Sequence, residues 1–254
     1  MMDDRAVGLT LEGAGDARAQ GLTLRARLAD LARFLMCPSF AAQPMLWGPA
    51  AALMLLIVFA LDLAADGLVA WLAGVWDAQG TYLPEPIKED IPFAEDLFFT
   101  LVFAPVVEEA LFRGWLTGRI AALRFAAYGM GALALSAAAL FVPDAFAIAL
   151  SLAAFVLAFT GLIHWERARH SDTAVPAWFT RHFHWFVWGS TLLFGLIHIG
   201  NFEPLTHPLG LAVVLPQTIG GFLLAYTRTR IGLGAAMAHH AAFNALWMAQ
   251  EYGW

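Results

Sequence analysis

Two adjacent glutamates followed by an arginine, Glu108-Glu109-x-x-x-Arg113, stand inside an otherwise apolar stretch of the chain. In a helix, Glu109 and Arg113 are one turn apart with the acid first, which is the favourable order for an ion pair. Glu108 then points about 100° away around the helix and has no partner on it. Such a carboxylate is a candidate general base or acid. The alternative for Glu109 and Arg113 is a purely structural pair that locks two helices together.

Two further polar clusters, Phe194-x-x-x-His198 and His240-x-x-x-Asn244, occupy other apolar stretches. Within each cluster the two side chains lie one helical turn apart and share a face. His240 and Asn244 therefore offer two hydrogen-bond donors in one direction. His239 points to a different face, and we expect it to be a neighbour or a gate. A single histidine in an apolar helix is more often a packing residue than a catalyst, but three clusters on three stretches are hard to explain as separate packing features.

The composition indicates what surrounds these clusters. Of the 254 residues, 60% are hydrophobic and 13% are charged, whereas soluble chains are about half apolar and a quarter charged. These fractions exclude an ordinary soluble enzyme, and a net charge of −6 argues against a nucleic-acid-binding protein. A single cysteine, Cys37, excludes a disulfide framework. The chain is therefore predicted to be a polytopic membrane protein in contact with the lipid bilayer.

We predict an all-α membrane helix bundle with about seven transmembrane helices in one domain, residues 41–254. Each crossing needs about 20 mostly apolar residues. Polar residues interrupt the apolar stretches between crossings, as at 77–96, which we interpret as an acidic outer loop. The seven predicted spans are 46–72, 97–117, 125–142, 145–163, 184–203, 209–227 and 231–249.

An N-terminal segment, residues 1–40, is predicted to lie in the cytoplasm and to contain one amphipathic helix at 22–36. Its leucines recur at helical spacing, which is typical of a helix lying on the membrane surface. The alternative is a helix packed on the bundle as in a soluble protein. The leucines that share one face are Leu24, Leu28, Leu31 and Leu35.

The distribution of basic residues agrees with seven spans and a cytoplasmic N-terminus. Under this topology, all of the 14 basic residues except Lys88 and Arg113 fall in cytoplasmic segments. Such an excess on the inner side is the general rule for membrane proteins. The high alanine content suggests the inner membrane of a bacterium.

The three motifs, in this order, resemble those of the CPBP family, also called Abi, of intramembrane CAAX-processing and bacteriocin-processing proteases. Pro105 and the Phe112-Arg113-Gly114 ending of the first motif match as well. The resemblance covers about residues 95–250, and residues 1–80 match no pattern of the family.

The resemblance implies an endopeptidase that cleaves a peptide bond of a membrane-associated protein or peptide. Glu108, which leads the first motif together with Glu109 and Arg113, would activate a water molecule. His198 would bind or orient that water. His240 and Asn244 would donate hydrogen bonds to the oxyanion of the tetrahedral intermediate. No cofactor is expected.

Three alternatives use the same residues differently. His198, His240 and Glu108 could instead hold a zinc ion with an open position for water. A catalytically silent relative could bind and neutralise a peptide, as bacteriocin-immunity members of the family are thought to do. A transporter or channel could use the buried acids and histidines to relay protons, although no paired repeats of broken helices support it.

Overall fold

The structure is a computed structural model that describes residues 23–87 and 91–253. Predictions for the cytoplasmic segment before residue 23, and for Lys88 on the outer loop, lie outside these residues. The described part of the chain is helical and contains no β-strand, so the predicted all-α fold is confirmed.

Ten α-helices follow one another along the described residues, with a few short segments of tighter or wider helix between them. The helices are α1 (Leu24–Met36), α2 (Pro49–Trp76), α3 (Phe93–Phe98), α4 (Ala104–Phe112), α5 (Ile120–Ala139), α6 (Asp144–Ala168), α7 (Ala177–Arg181), α8 (Phe183–Ile197), α9 (Leu215–Arg230) and α10 (Leu233–Glu251). A π-helical segment spans Phe99–Phe103, and 3₁₀ segments span Gly114–Thr117, His198–Asn201 and Pro208–Val214.

Five helical segments of the described chain are long and apolar enough to cross a membrane, and the protein is an integral membrane protein. These segments correspond to five of the seven predicted spans. The other two predicted spans, 97–117 and 231–249, carry the first and third polar motifs. The former contains the charged side chains Glu108, Glu109 and Arg113, and the latter contains polar side chains that lower its hydropathy. The five segments are Pro49–Trp76, Ile120–Ala139, Asp144–Ala168, Phe183–Asn201 and Pro208–Arg230.

The amphipathic helix predicted at 22–36 is present as α1 and packs on the bundle. Leu31 and Phe34 are buried, and the ring of Phe34 meets that of Tyr226 in α9 edge-on at 5.3 Å. Asp30 accepts a hydrogen bond of 2.8 Å from Nε of Arg230. The helix therefore uses part of its apolar face against α9, while other leucines of that face stay exposed. The exposed ones are Leu24, Leu28 and Leu35.

The segments that are rich in arginine meet at one end of the bundle. Arg124 of α5 pairs with Asp172, which lies between α6 and α7, at 2.5 Å. Phe40, which follows α1, packs edge-on against Phe179 of α7. These contacts place the loop after α1, the start of α5 and the connection from α6 to α7 at the same end of the bundle.

The opposite end holds the loop after α2 and the C-terminus. The backbone N–H of Ile87 donates to the carbonyl of Asn201 at 2.9 Å. The ring of Phe93, at the start of α3, contacts that of Tyr252 at 5.0 Å. The ends of α2, α8 and α10 and the start of α3 are thereby gathered together.

Candidate active site

The helix that carries the first motif begins with a π-helical segment rather than a regular turn. The N–H of Ala104 bonds to the carbonyl of Phe99, five residues back. The next position in that pattern is Pro105, which has no N–H to give to the carbonyl of Thr100. Asn244 of α10 supplies the missing donor, since its Nδ2 bonds to the Thr100 carbonyl at 2.9 Å. The amide of Asn244 thus joins α10 to the start of α4.

Glu109 and Arg113 form a fully buried ion pair on α4. Nη1 of Arg113 donates to Oε1 of Glu109 at 2.6 Å, and neither side chain has any exposed surface. The guanidinium group also lies over the ring of Phe194, 3.8 Å from its centroid. Gly221 of α9 makes room for this stack, because a Cβ there would overlap Arg113 and Phe194. The sequence spacing of Glu109 and Arg113 predicted their contact, and the surrounding helices shield the ion pair from solvent.

His240 connects the third motif to the first. Its Nδ1 lies 3.0 Å from Oε1 of Glu109. A carboxylate paired with Arg113 acts as an acceptor, so Nδ1 of His240 carries the proton and donates. The opposite ring nitrogen, Nε2, faces Glu108 at 3.8 Å from its Oε2. One imidazole therefore spans the two adjacent glutamates.

His198 faces Glu108 from the other side. Its Nδ1 lies 2.7 Å from the carbonyl of Phe194 and must donate to it, since a carbonyl only accepts. Its Nε2 lies 3.9 Å from Oε2 of Glu108. Within the described part of the chain, that oxygen makes no hydrogen bond. The Nε2 atoms of His198 and His240 thus both face Oε2 of Glu108. Their distances from it are too long for a direct hydrogen bond, and a water molecule between them would connect the three groups.

The end of α4 is held by two residues for which the sequence predicts no role at the site. The chain passes into the 3₁₀ segment Gly114–Thr117, so the last carbonyls of α4 need donors from elsewhere. Ser190 Oγ donates to the carbonyl of Phe112 at 2.6 Å, and Arg228 donates to the carbonyls of Arg113 and Gly114 at 3.1 and 3.0 Å. Ser190 and Arg228 lie on other helices, and no spacing in the sequence links them to α4.

Gly195 lets α8 approach α9 closely enough to bring His198 to the site. A Cβ at this position would overlap the side chain of Thr218. Only a residue without a side chain fits here at this distance between the helices. Because His198 follows Gly195 by three residues, this packing sets where its ring lies.

The three donors of the zinc site considered from the sequence, Glu108, His198 and His240, face one another. The separations from Glu108 Oε2 to the Nε2 atoms of His240 and His198 are 3.8 and 3.9 Å. Within residues 23–87 and 91–253, no group of three His, Cys, Asp or Glu side chains is arranged to hold a metal ion.

The comparison with known protein families does not depend on this geometry. A family model described as type II CAAX prenyl endopeptidase Rce1-like matches residues 91–246, which is more than half of the chain. The chain belongs to the Rce1-like family. No curated protein and no solved structure matches the chain.

The Rce1-like match contains the whole candidate site. It begins two residues before α3 and ends within α10, so it includes Glu108, His198 and Asn244. It leaves out α1 and α2. The Rce1-like family is a protease family, which confirms the resemblance noted from the three motifs.

Proposed function

We propose that this protein is an intramembrane endopeptidase that hydrolyses a peptide bond of a membrane-associated protein or peptide with a water molecule activated by Glu108. One observation carries the proposal: Oε2 of Glu108 faces Nε2 of His198 and Nε2 of His240 at 3.9 and 3.8 Å. When both histidines are neutral and donate through Nδ1, their Nε2 atoms are hydrogen-bond acceptors, as is Oε2 of the Glu108 carboxylate. A water molecule, which has two protons to donate, matches this arrangement.

The proposed reaction needs one carboxylate and one water. Glu108 takes a proton from the water as its oxygen attacks the scissile carbonyl carbon, and the C–O bond forms. Glu108 then gives that proton to the amide nitrogen as the C–N bond breaks. His198, with its ring held through Nδ1 by the carbonyl of Phe194, orients the water.

His240 and Asn244 are proposed to stabilise the oxyanion that forms on the carbonyl. His240 already donates through Nδ1 to Glu109, so it donates to the oxyanion from Nε2 after that nitrogen takes up a proton from solvent. Asn244 Nδ2 has two N–H groups, and one bonds to Thr100. Donors that are fixed before the reaction need no reorganisation when charge develops.

We propose that the substrate approaches from within the bilayer. Large apolar side chains on the outer face of the first-motif helix lie next to Glu108 and are 42–50% exposed. They would contact lipid or an apolar substrate chain. The family description names prenyl CAAX endopeptidases, so a prenylated C-terminal peptide is the first substrate class to test. The exposed side chains are Val102, Phe103, Val106 and Val107.

The proposed topology has seven crossings, with the N-terminus in the cytoplasm of a bacterial cell and the C-terminus outside. The pairing of Arg124 with Asp172 at one end, and of Phe93 with Tyr252 at the other, supports this arrangement. Single cysteines at the α6–α7 loop and at residue 252, introduced after replacing Cys37, should react with impermeant reagents from opposite sides of right-side-out vesicles. Labelling of both from one side would contradict seven crossings.

Cleavage of defined peptides by purified protein in liposomes tests the proposed function. The panel contains a farnesylated CAAX peptide, the same peptide without the lipid, and a set of transmembrane peptides, each with wild type and Glu108→Ala. Cleavage by wild type that is lost in Glu108→Ala and survives a strong zinc chelator is the expected result. Loss on chelation with recovery on adding zinc would instead favour the metal-dependent protease. Peptide binding without cleavage, or proton flux across the vesicles, would favour the immunity or transporter alternative.

A further inference from the structure

A second buried acid–histidine contact lies beside the candidate site. Asp62 of α2 and His239 of α10 are 3% and 2% exposed. Nε2 of His239 lies 3.1 Å from Oδ2 of Asp62. Asp62 precedes the family match, which begins at residue 91. This contact is therefore contributed by a helix outside the matched region.

The neighbouring contacts orient the ring of His239. Thr227 Oγ1 donates to the carbonyl of Leu223 at 3.1 Å and lies 3.3 Å from Nδ1 of His239. One nitrogen of the ring therefore faces Thr227 on α9, and the other faces Asp62 on α2. His239 links α10 to both helices in either tautomer.

The contact is electrostatic rather than a linear hydrogen bond. Nε2 of His239 is buried and has no hydrogen bond in correct geometry with any described residue. A charged group in a membrane helix is costly unless it has a partner of opposite charge. Asp62 and His239 are each buried with the other as a polar neighbour at 3.1 Å, so separating the two side chains is unfavourable.

The position of His239 ties the rotation of α10 to two other helices. His239 contacts Asp62 and the ring of Phe59 on α2, and Thr227 on α9. His240 is the next residue and projects about 100° away around α10. A rotation of α10 that broke the Asp62 contact would also move Nδ1 of His240 away from Glu109.

We propose that Asp62 and His239 are positioning residues that fix the rotation of α10, so that His240 bonds to Glu109 and faces Glu108. Their effect on turnover rests on the proposed function, whereas their effect on the ring of His240 does not. Neither residue contacts the reacting atoms. Loss of the pair displaces a donor that acts in the transition state, and misplacement by about 1 Å costs up to about 10²-fold in rate.

The test compares Asp62→Asn with Asp66→Asn in the full-length protein. Asp66 is the matched control because it lies one turn further along α2 and is only partly buried. With the peptide cleaved by wild type, Asp62→Asn should lower kcat at least about tenfold with KM within about twofold, and Asp66→Asn should change neither beyond about twofold. Asp62→Glu, which restores the charge, should recover part of kcat.

A measurement that does not require turnover accompanies the kinetics. The ¹⁵N shifts of the imidazoles are recorded for wild type, Asp62→Asn and Asp66→Asn. We expect the Nδ1 shift of His240 to change in Asp62→Asn alone. If Asp62→Asn cannot be purified, the exchanged variant Asp62→His with His239→Asp should fold and keep the wild-type shift of His240.

The outcomes separate the two proposals. If wild type cleaves and Glu108→Ala does not, but Asp62→Asn keeps wild-type kcat and His240 shifts, the positioning role is wrong and the proposed function stands. If wild type cleaves no peptide, the proposed function fails, and the His240 shifts still decide the positioning role. An exchanged variant that folds with altered His240 shifts would also overturn the positioning role.

Discussion

Asn244 donates a hydrogen bond of 2.9 Å to the carbonyl of Thr100, at the point where Pro105 removes the backbone donor. The third motif is therefore attached to the start of the helix that carries the first. Asn244 has a structural partner in addition to its proposed role at the oxyanion, and substitutions at this position should affect both stability and turnover.

The double variant Pro105→Ala/Asn244→Ala should separate the two effects. Asn244→Ala leaves the Thr100 carbonyl without its donor, at a cost of about 1–3 kcal/mol in unfolding free energy. Alanine at position 105 restores an N–H, so the double variant should regain thermal stability while turnover stays low. Thermal unfolding and peptide cleavage are measured on the same samples. Recovery of turnover together with stability would show that Asn244 acts only through structure.

Arg113→Ala should lower the yield of folded protein as well as activity. The change leaves Glu109 as a buried carboxylate without its cation, and breaking a buried pair costs about 3–5 kcal/mol. Arg169→Ala is the matched control, because Arg169 pairs with Glu166 at the surface, where 40% and 59% of the two side chains are exposed. That change should cost less than about 1 kcal/mol. Equal yields of monodisperse protein for both variants would indicate a purely functional Arg113.

Gly195→Ala should destabilise the packing of α8 on α9. The added Cβ overlaps the side chain of Thr218, and overpacking of this kind costs about 1–3 kcal/mol. Gly189→Ala on the same helix is the control, since a Cβ there meets no described atom within 4 Å. Thr218→Ala should partly rescue Gly195→Ala. Equal melting temperatures for Gly195→Ala and Gly189→Ala would contradict the close approach.

The loop after α2 should lose protection from hydrogen exchange at low pH. Partial desolvation raises the pKa of Asp77, but hydrogen bonds from the backbone N–H groups of Leu83, Thr81 and Tyr82 outweigh it and lower that pKa below its usual value. The stabilisation is therefore complete above the unfolded pKa, about 3.9, and is lost as the pH falls through the lower folded value. Protection factors of residues 81–83 should stay constant from pH 6 to about pH 4 and fall below it.

Asp77→Ala should reduce the same protection factors at pH 6. The aspartate oxygens accept four backbone contacts of 2.7–3.1 Å, which alanine cannot replace. Protection that is the same in Asp77→Ala and wild type would show that other contacts hold this loop.

Contacts within one helix could be predicted from the sequence, because helical spacing determines them. The pair of Glu109 with Arg113 follows directly from a separation of four residues. Contacts between helices could not be predicted, because they depend on how each helix is rotated in the bundle. Asn244 meets Thr100 across 144 residues, and nothing in either segment indicates the partner.

The number of crossings shows a second limit of prediction from hydropathy. Segments 97–117 and 231–249 carry the polar residues of the first and third motifs. These residues make the one too rich in charge and lower the hydropathy of the other, so both fall outside the five segments that qualify by length and composition. The second motif lies in Phe183–Asn201, which does qualify. Two of the three motif-bearing segments are therefore less clearly membrane-spanning than the rest.

The role of Glu108 as the base that activates water is the central claim, and Glu108→Gln tests it most directly. Glutamine keeps the shape of the side chain but cannot take the proton. In liposomes with the peptide that wild type cleaves, and with Glu95→Gln as a control at an exposed position of α3, kcat of Glu108→Gln should fall by about 10²–10⁴-fold. KM and melting temperature should stay close to wild type. A folded Glu108→Gln protein that keeps more than about a tenth of wild-type kcat would contradict the account.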